Sequence, residues 1–161
     1  TPRPRRTPPP ATGKKVTAGL DRVAADNCRR ILSGGMARAL GFEITARAPK
    51  KVMARVKLLA RHMTHNGRVN AGAIMAFADY LGALGAAMHR PAGYRGGTLE
   101  SKTNFFASGS GDVIVAECVP LHIGRTTSVW QTTLRDGEGR TIAMVTQTQM
   151  ALPAAKTASS E

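Results

Sequence analysis

The most distinctive pattern in the chain is a run of small and apolar side chains, NAGAIMAFADYLGALGAAMH, from Asn70 to His89. At about 100° per residue, Ile74, Phe77, Leu81, Leu84 and Met88 fall on one stripe, which predicts a helix with that stripe in a core. The opposite face carries Gly72, Met75, Ala76, Gly82, Ala83 and Ala86 around a single charge, Asp79. A helix that is apolar all round is buried all round, so this second face predicts a second cover, for which another subunit is the natural candidate. Upstream, DRVAADNCRRILSGGMARALG reads as helical with a break at Ser33-Gly34-Gly35. FEITARA and KKVMARVKLLA follow, with Val52, Ala54, Val56 and Leu58 alternating in strand phase. After Pro91-Ala92-Gly93 the segments TLESKTNFFA, DVIVAECVPL, TTSVWQTTL and RTIAMVTQTQMAL are rich in Val, Ile, Thr and aromatic residues. Turn chemistry separates them, and Asp136-Gly137-Glu138-Gly139 predicts a hairpin. The expected architecture is α+β: one long helix wrapped by an antiparallel sheet of five or six strands.

Length and composition narrow this picture. A chain of 161 residues with 42% hydrophobic content fits one globular domain, expected over residues 21–152. Residues 1–20 begin TPRPRRTPPPATGKK, with five cations and five prolines, and read as a disordered basic tail; residues 153–161 read as a second tail. A formal charge of +13 attracts polyanions, and a nucleic-acid arm is the rival reading of the first tail. No secretory h-region or presequence periodicity is present there. Cys28 and Cys118 lie far apart without metal-like spacing and read as reduced thiols, which suggests a cytoplasmic protein. A membrane span over residues 70–89 is disfavoured by the mid-span carboxylate and by the many alanines and glycines.

Asp79 is the only carboxylate between Glu43 and Glu100. In an apolar helix such a group is either tied up by backbone amides or a buried arginine, or employed as a base or nucleophile in a water-poor cleft. Helix phase alone leaves both open. His62 and His65 have H-x-x-H spacing, but no carboxylate or cysteine completes a metal site. No phosphate loop, dinucleotide fingerprint or G-x-S-x-G nucleophile motif occurs.

The loop, the helix and the strands after it resemble the hotdog-fold thioesterases of the PaaI-like group, close to the EntH-type acyl-CoA thioesterases, over about residues 40–152. That family shows a histidine-glycine-glycine tripeptide opening the central helix, with an acid nine residues after the histidine. Here the tripeptide reads Asn70-Ala71-Gly72, and Asp79 stands nine residues after Asn70. CVPLHIGRTTSVWQTTLRDGEGR is similar to the family's proline-leucine-histidine turn, tryptophan strand and hairpin, and TLESKTNFFASGSGD to its strand after the helix. The resemblance implies a hotdog fold and an acyl-CoA thioesterase acting on an aromatic or medium-chain acyl group. It implies Asp79 as base or nucleophile and the Ala71 amide at the helix N-terminus as oxyanion donor. Asn70 takes the place of the histidine, and Thr64 that of a side-chain amide that orients the carbonyl. Coenzyme A, as part of the substrate rather than a cofactor, is assigned to Gly72, Thr98, Phe105, Phe106, Ala107 and Ser108, and to the turn His122, Ile123, Gly124, Arg125, Thr126 and Thr127. The implied partners are the substrate and further copies of the chain, as dimer or tetramer, with no membrane and no nucleic acid. Two rival readings share the fold: an acyl-CoA-binding or sensing protein without catalysis, and a hydratase, for which the missing histidine is a departure.

Overall fold

A computed structural model describes residues 16–17 and 22–154. Its elements run β1 (Val16–Thr17), α1 (Arg22–Leu32), α2 (Gly35–Leu40), β2 (Phe42–Ala48), β3 (Lys51–Lys57), a 3-10 turn at Ala60–His62, α3 (Ala71–Ala87), β4 (Tyr94–Phe105), β5 (Val113–Ile123), β6 (Thr127–Asp136) and β7 (Thr141–Pro153). The strands form one sheet in the order β1-β2-β3-β5-β6-β7-β4, antiparallel except for the parallel β1–β2 pair. The sheet wraps α3, so the long helix within a curved antiparallel sheet is the hotdog architecture that the resemblance implies.

Each expected element is present, with two differences. The break at Ser33-Gly34 divides the first helical segment into α1 and α2. The short strand β1 lies inside the segment expected to be a tail, where it pairs with Ala46 and Arg47. The remaining residues expected in the tails lie outside the described residues, apart from Pro153 and Ala154.

The predicted stripe of α3 is the heart of the core: Ile74, Phe77, Leu81, Leu84 and Met88 are all buried. Burying side chains of this size contributes about 2 kcal/mol each. They meet the alternate residues of the strands, among them Val52, Ala54, Ala116, Trp130, Leu134 and Val145. Phe42 packs its ring against Phe77 and Tyr80 at 5.2 and 5.3 Å. Gly85 lets the helix approach the sheet, because a Cβ there would stand 2.6 Å from the Trp130 ring. From α1, Asn27 Nδ2 donates to the carbonyls of Ala87 and Arg90 at 3.3 and 3.1 Å, satisfying the end of α3. Among the described residues no helix is long and apolar enough to cross a membrane.

The expectation that Asp79 stands clear of the sheet needs correction. The sheet curls far enough for its β7–β4 end to reach the acid's side of the helix. A register shift between Thr98 and Glu100 puts a bulge at Leu99, a device that bends a strand and re-aims its side chains. β4 bonds to β7 alone, so among the described residues its outer side has no neighbour.

Candidate active site

Asp79 lies two turns into α3 and is half-buried. Its Oδ1 accepts hydrogen bonds from Thr98 Oγ1 and from Gln147 Nε2, each at 2.8 Å. Gln149 Nε2 donates to Thr98 Oγ1 at 2.9 Å. The direction of this chain is fixed: an amide can only give a proton here, so the threonine receives from Gln149 and passes its own to the carboxylate. Oδ2 has no hydrogen-bond partner among the described residues. One oxygen is thus anchored by two donors, which orient the group, while the other is open to a substrate or a water.

Gln147 and Gln149 were not among the sequence candidates. The signal was the strand period: Ala143, Val145, Gln147 and Gln149 share one face of β7, and all four are buried. Two amides in an inward register demand polar partners. Gly82 makes room for the first of them, since a Cβ there would come within 2.2 Å of Gln147 Oε1.

The second candidate feature is the N-terminus of α3. Asn70 is its N-cap, and Oδ1 accepts from the Gly72 amide at 2.8 Å. The Ala71 N–H, at the first helical position, has no carbonyl within the helix to bind. Ala71 borders a pocket of about 250 Å³ together with Arg68, Val69, Ile74, Phe105, Ala107 and Ser108. The helix dipole adds partial positive charge there. Thr64 is held elsewhere: its hydroxyl bonds Asn66 and the Arg68 backbone within its own turn. Phe105 borders this pocket, whereas Phe106 and Met75 do not.

The residues assigned to coenzyme A fall into two groups. Thr98 pairs with Gln149 and Thr127 with Met150, so the His122–Thr127 turn lies at the Asp79 end of the sheet. Phe105 pairs with Ala143, at the other end. The seven residue steps from Thr98 to Phe105 span roughly 23 Å. Residues 105–108 therefore accompany Ala71, and the turn accompanies Asp79. That turn closes through Gly124 N to Thr127 O at 2.9 Å, and Arg125 in it is exposed. A Cβ on Gly124 would stand 2.8 Å from His122 Nε2 and 2.9 Å from Thr127 O, so only glycine fits without a shift. Along α3, Ala71 and Asp79 are eight residues and about 12 Å apart.

His62 is buried, receives the Leu59 amide on Nδ1 at 3.0 Å and makes a 2.7 Å bond from Nε2 to the Leu40 carbonyl. The first bond makes Nδ1 the acceptor and so puts the proton on Nε2, a structural role that leaves no free nitrogen for a metal. No group of metal-ligating side chains occurs among the described residues. Cys28 and Cys118 are free and buried, and burial pushes the Cys118 thiol up to about 12.

A long helix wrapped by a curved antiparallel sheet is the hotdog architecture, and comparison with known proteins agrees. Residues 66–143 match the model of the thioesterase superfamily. A thioesterase family protein from Silicibacter pomeroyi is 26% identical, with a TM-score of 0.76, covering 81% of this chain and 99% of its own. A hypothetical thioesterase from Streptococcus pneumoniae, solved with coenzyme A, is 24% identical, with a TM-score of 0.63 and coverage of 71% and 89%. The E. coli PaaI protein of the phenylacetic acid degradation operon is 18% identical, with a TM-score of 0.73 and coverage of 84% and 98%. No curated protein sequence matches the chain.

Proposed function

We propose that the protein is an acyl-CoA thioesterase whose active site is formed between two copies of the chain. The observation that carries this reading is the half-anchored carboxylate of Asp79, with Oδ1 held by Thr98 and Gln147 and Oδ2 open. The Ala71 amide, about 12 Å along the same helix, is too far to bind the carbonyl oxygen while Asp79 Oδ2 serves the same carbon. A two-fold pairing of α3 with its counterpart brings Asp79 of one copy to Ala71 of the other, and by symmetry makes two such sites. The same pairing joins the His122–Thr127 turn of one copy with residues 105–108 of the other around one coenzyme A. The coenzyme A in the pneumococcal relative supports that ligand. The unpaired outer side of β4 supports the pairing.

In this site Asp79 Oδ2 takes a proton from water as the water oxygen bonds the thioester carbon. The resulting oxyanion is held by the Ala71 N–H of the facing copy. Collapse breaks the C–S bond, the thiolate takes up the proton, and a carboxylic acid and the free thiol leave. Direct attack by Oδ2 through an anhydride gives the same products after hydrolysis. The exposed side chains of Met75, Phe105 and Phe106 offer apolar surface for an aromatic or medium-chain acyl group.

The test is thiol release from a panel of acyl-CoA esters by wild type and Asp79→Asn. Turnover is expected to fall by about 100-fold or more in the variant, the loss typical of a general base. Esters that bind wild type but are never cleaved would overturn the hydrolase reading in favour of a binding protein.

A further inference from the structure

Beyond Thr98 and Gln149 a pocket of about 120 Å³ leads away from Asp79, between Ala83 and Ala86 of α3 and Gly97 of β4, and it reaches Arg90. Its floor is made of methyl groups and bare backbone, and it touches the Asp79 network directly through Thr98 and Gln149. Arg90 is the one charged residue on its wall. Its backbone is fixed by Asn27, which donates to the Arg90 carbonyl at 3.1 Å. No acid among the described residues fixes its side chain. Nε is buried without a hydrogen-bond partner, and none of the ion pairs among the described residues includes this guanidinium. Burial lowers the Arg90 pKa from its usual range, and the nearby Arg30 lowers it further. Gly96 accommodates the head group, because a Cβ there would fall 2.1 Å from Nη1. A half-buried guanidinium with no counter-charge among the described residues gains from an anion that completes it.

We infer that Arg90 is a specificity determinant for an acyl group ending in a carboxylate, held in the pocket between the reacting carbonyl at Asp79 and the guanidinium. A planar fork of N–H donors matches a carboxylate in two parallel bonds, which a neutral methyl terminus cannot make. At roughly 30 Å³ per small group, the pocket takes on the order of four heavy atoms, so the acyl chain is short. This rests on the thioesterase reading for the position of the thioester, and it sets a short ω-carboxyacyl group in place of the apolar acyl group suggested by the exposed aromatic side chains.

The deciding measurement is calorimetric titration of succinyl-CoA against butyryl-CoA, two esters of equal chain length, into full-length Asp79→Asn, in which the esters persist. Succinyl-CoA is expected to bind at least about tenfold more tightly, the size of a charge-assisted hydrogen bond. Adding Arg90→Met should bring the ratio of the two affinities close to one, and Arg90→Lys should keep part of it. A cation needed only at the C-terminal end of α3 would not move that ratio. Equal affinities in the parent, or a ratio that survives Arg90→Met, would overturn the assignment. Thiol release by the Asp79-intact chain is read separately. Turnover with equal affinities discards the subsite and keeps the hydrolase. A carboxylate preference without turnover keeps the subsite and discards hydrolysis. Failure to bind either ester discards both.

Discussion

Asp79 and Asp136 are both held by hydrogen bonds, but Asp79 keeps one oxygen without a partner among the described residues and Asp136 keeps none. Asp136, at the end of β6, is buried and accepts from the Glu138 and Arg140 amides on Oδ1. Its Oδ2 accepts from the Ser110 amide and hydroxyl and from two nitrogens of Arg140. Both oxygens are saturated, and the group ties the β6–β7 hairpin to the loop before β5. Burial pushes its pKa up, but the bonds from Arg140, Ser110 and Glu138 outweigh it, and the net shift is downward. A depressed folded-state value means the stabilisation is complete above the unfolded carboxyl range near 3.9 and is lost as pH falls through the folded value. Asp136→Asn should therefore melt well below wild type near neutral pH, by about 2 kcal/mol or more. The gap should narrow when melts are repeated below about pH 4. A gap that stays constant with pH would mean that the carboxylate charge is not what the hairpin uses.

At the scale of elements, α3 carries two glycines one turn apart with different purposes. A methyl group at Gly82 meets the far end of the Gln147 side chain, which can swing away; at Gly85 it meets the rigid, buried Trp130 ring. Gly85→Ala is expected to cost about 3 kcal/mol through overpacking. Gly82→Ala should cost about 1 to 2 kcal/mol in melting, less than Gly85→Ala, while moving Gln147 off Asp79 and lowering turnover by about tenfold. Equal losses of stability in the two variants would contradict this division. The helix phase was legible in the sequence because Ile74, Phe77, Leu81, Leu84 and Met88 obey a local period. The partners of Asp79 were not. Thr98 and Gln147 reach it through sheet curl and the bulge at Leu99, which depend on contacts far apart in sequence. The family resemblance gives Thr98 a coenzyme A role, and its bond to Asp79 adds a contact that the resemblance did not supply. The single neighbour of β4 was equally invisible, because strand order is a property of the finished sheet.

At the scale of the whole molecule, a site divided between copies makes a prediction that a site within one chain does not. Proline is well accepted at the first position of a helix, and Asn70 already has the extended backbone that precedes a proline. Ala71→Pro should thus retain the fold while removing the N–H, with turnover falling by about 100-fold or more. Ala71→Pro and Asp79→Asn, each nearly inactive alone, should regain activity when their subunits are exchanged. Random mixing makes half of the dimers hybrids, each with one intact site of two, so about a quarter of wild-type activity should return. No recovery after proven exchange would place the whole site within one chain. The outer side of β4 adds a colloidal consequence. Twelve residues of edge strand leave a row of backbone N–H and C=O groups open, beside exposed Leu99 and Phe105. Such an edge is a template for adding strands from any chain that can match it. Dilution or gentle heating that separates the copies should therefore make the protein sticky before it unfolds, with light scattering rising while the signal from the buried Trp130 is still native.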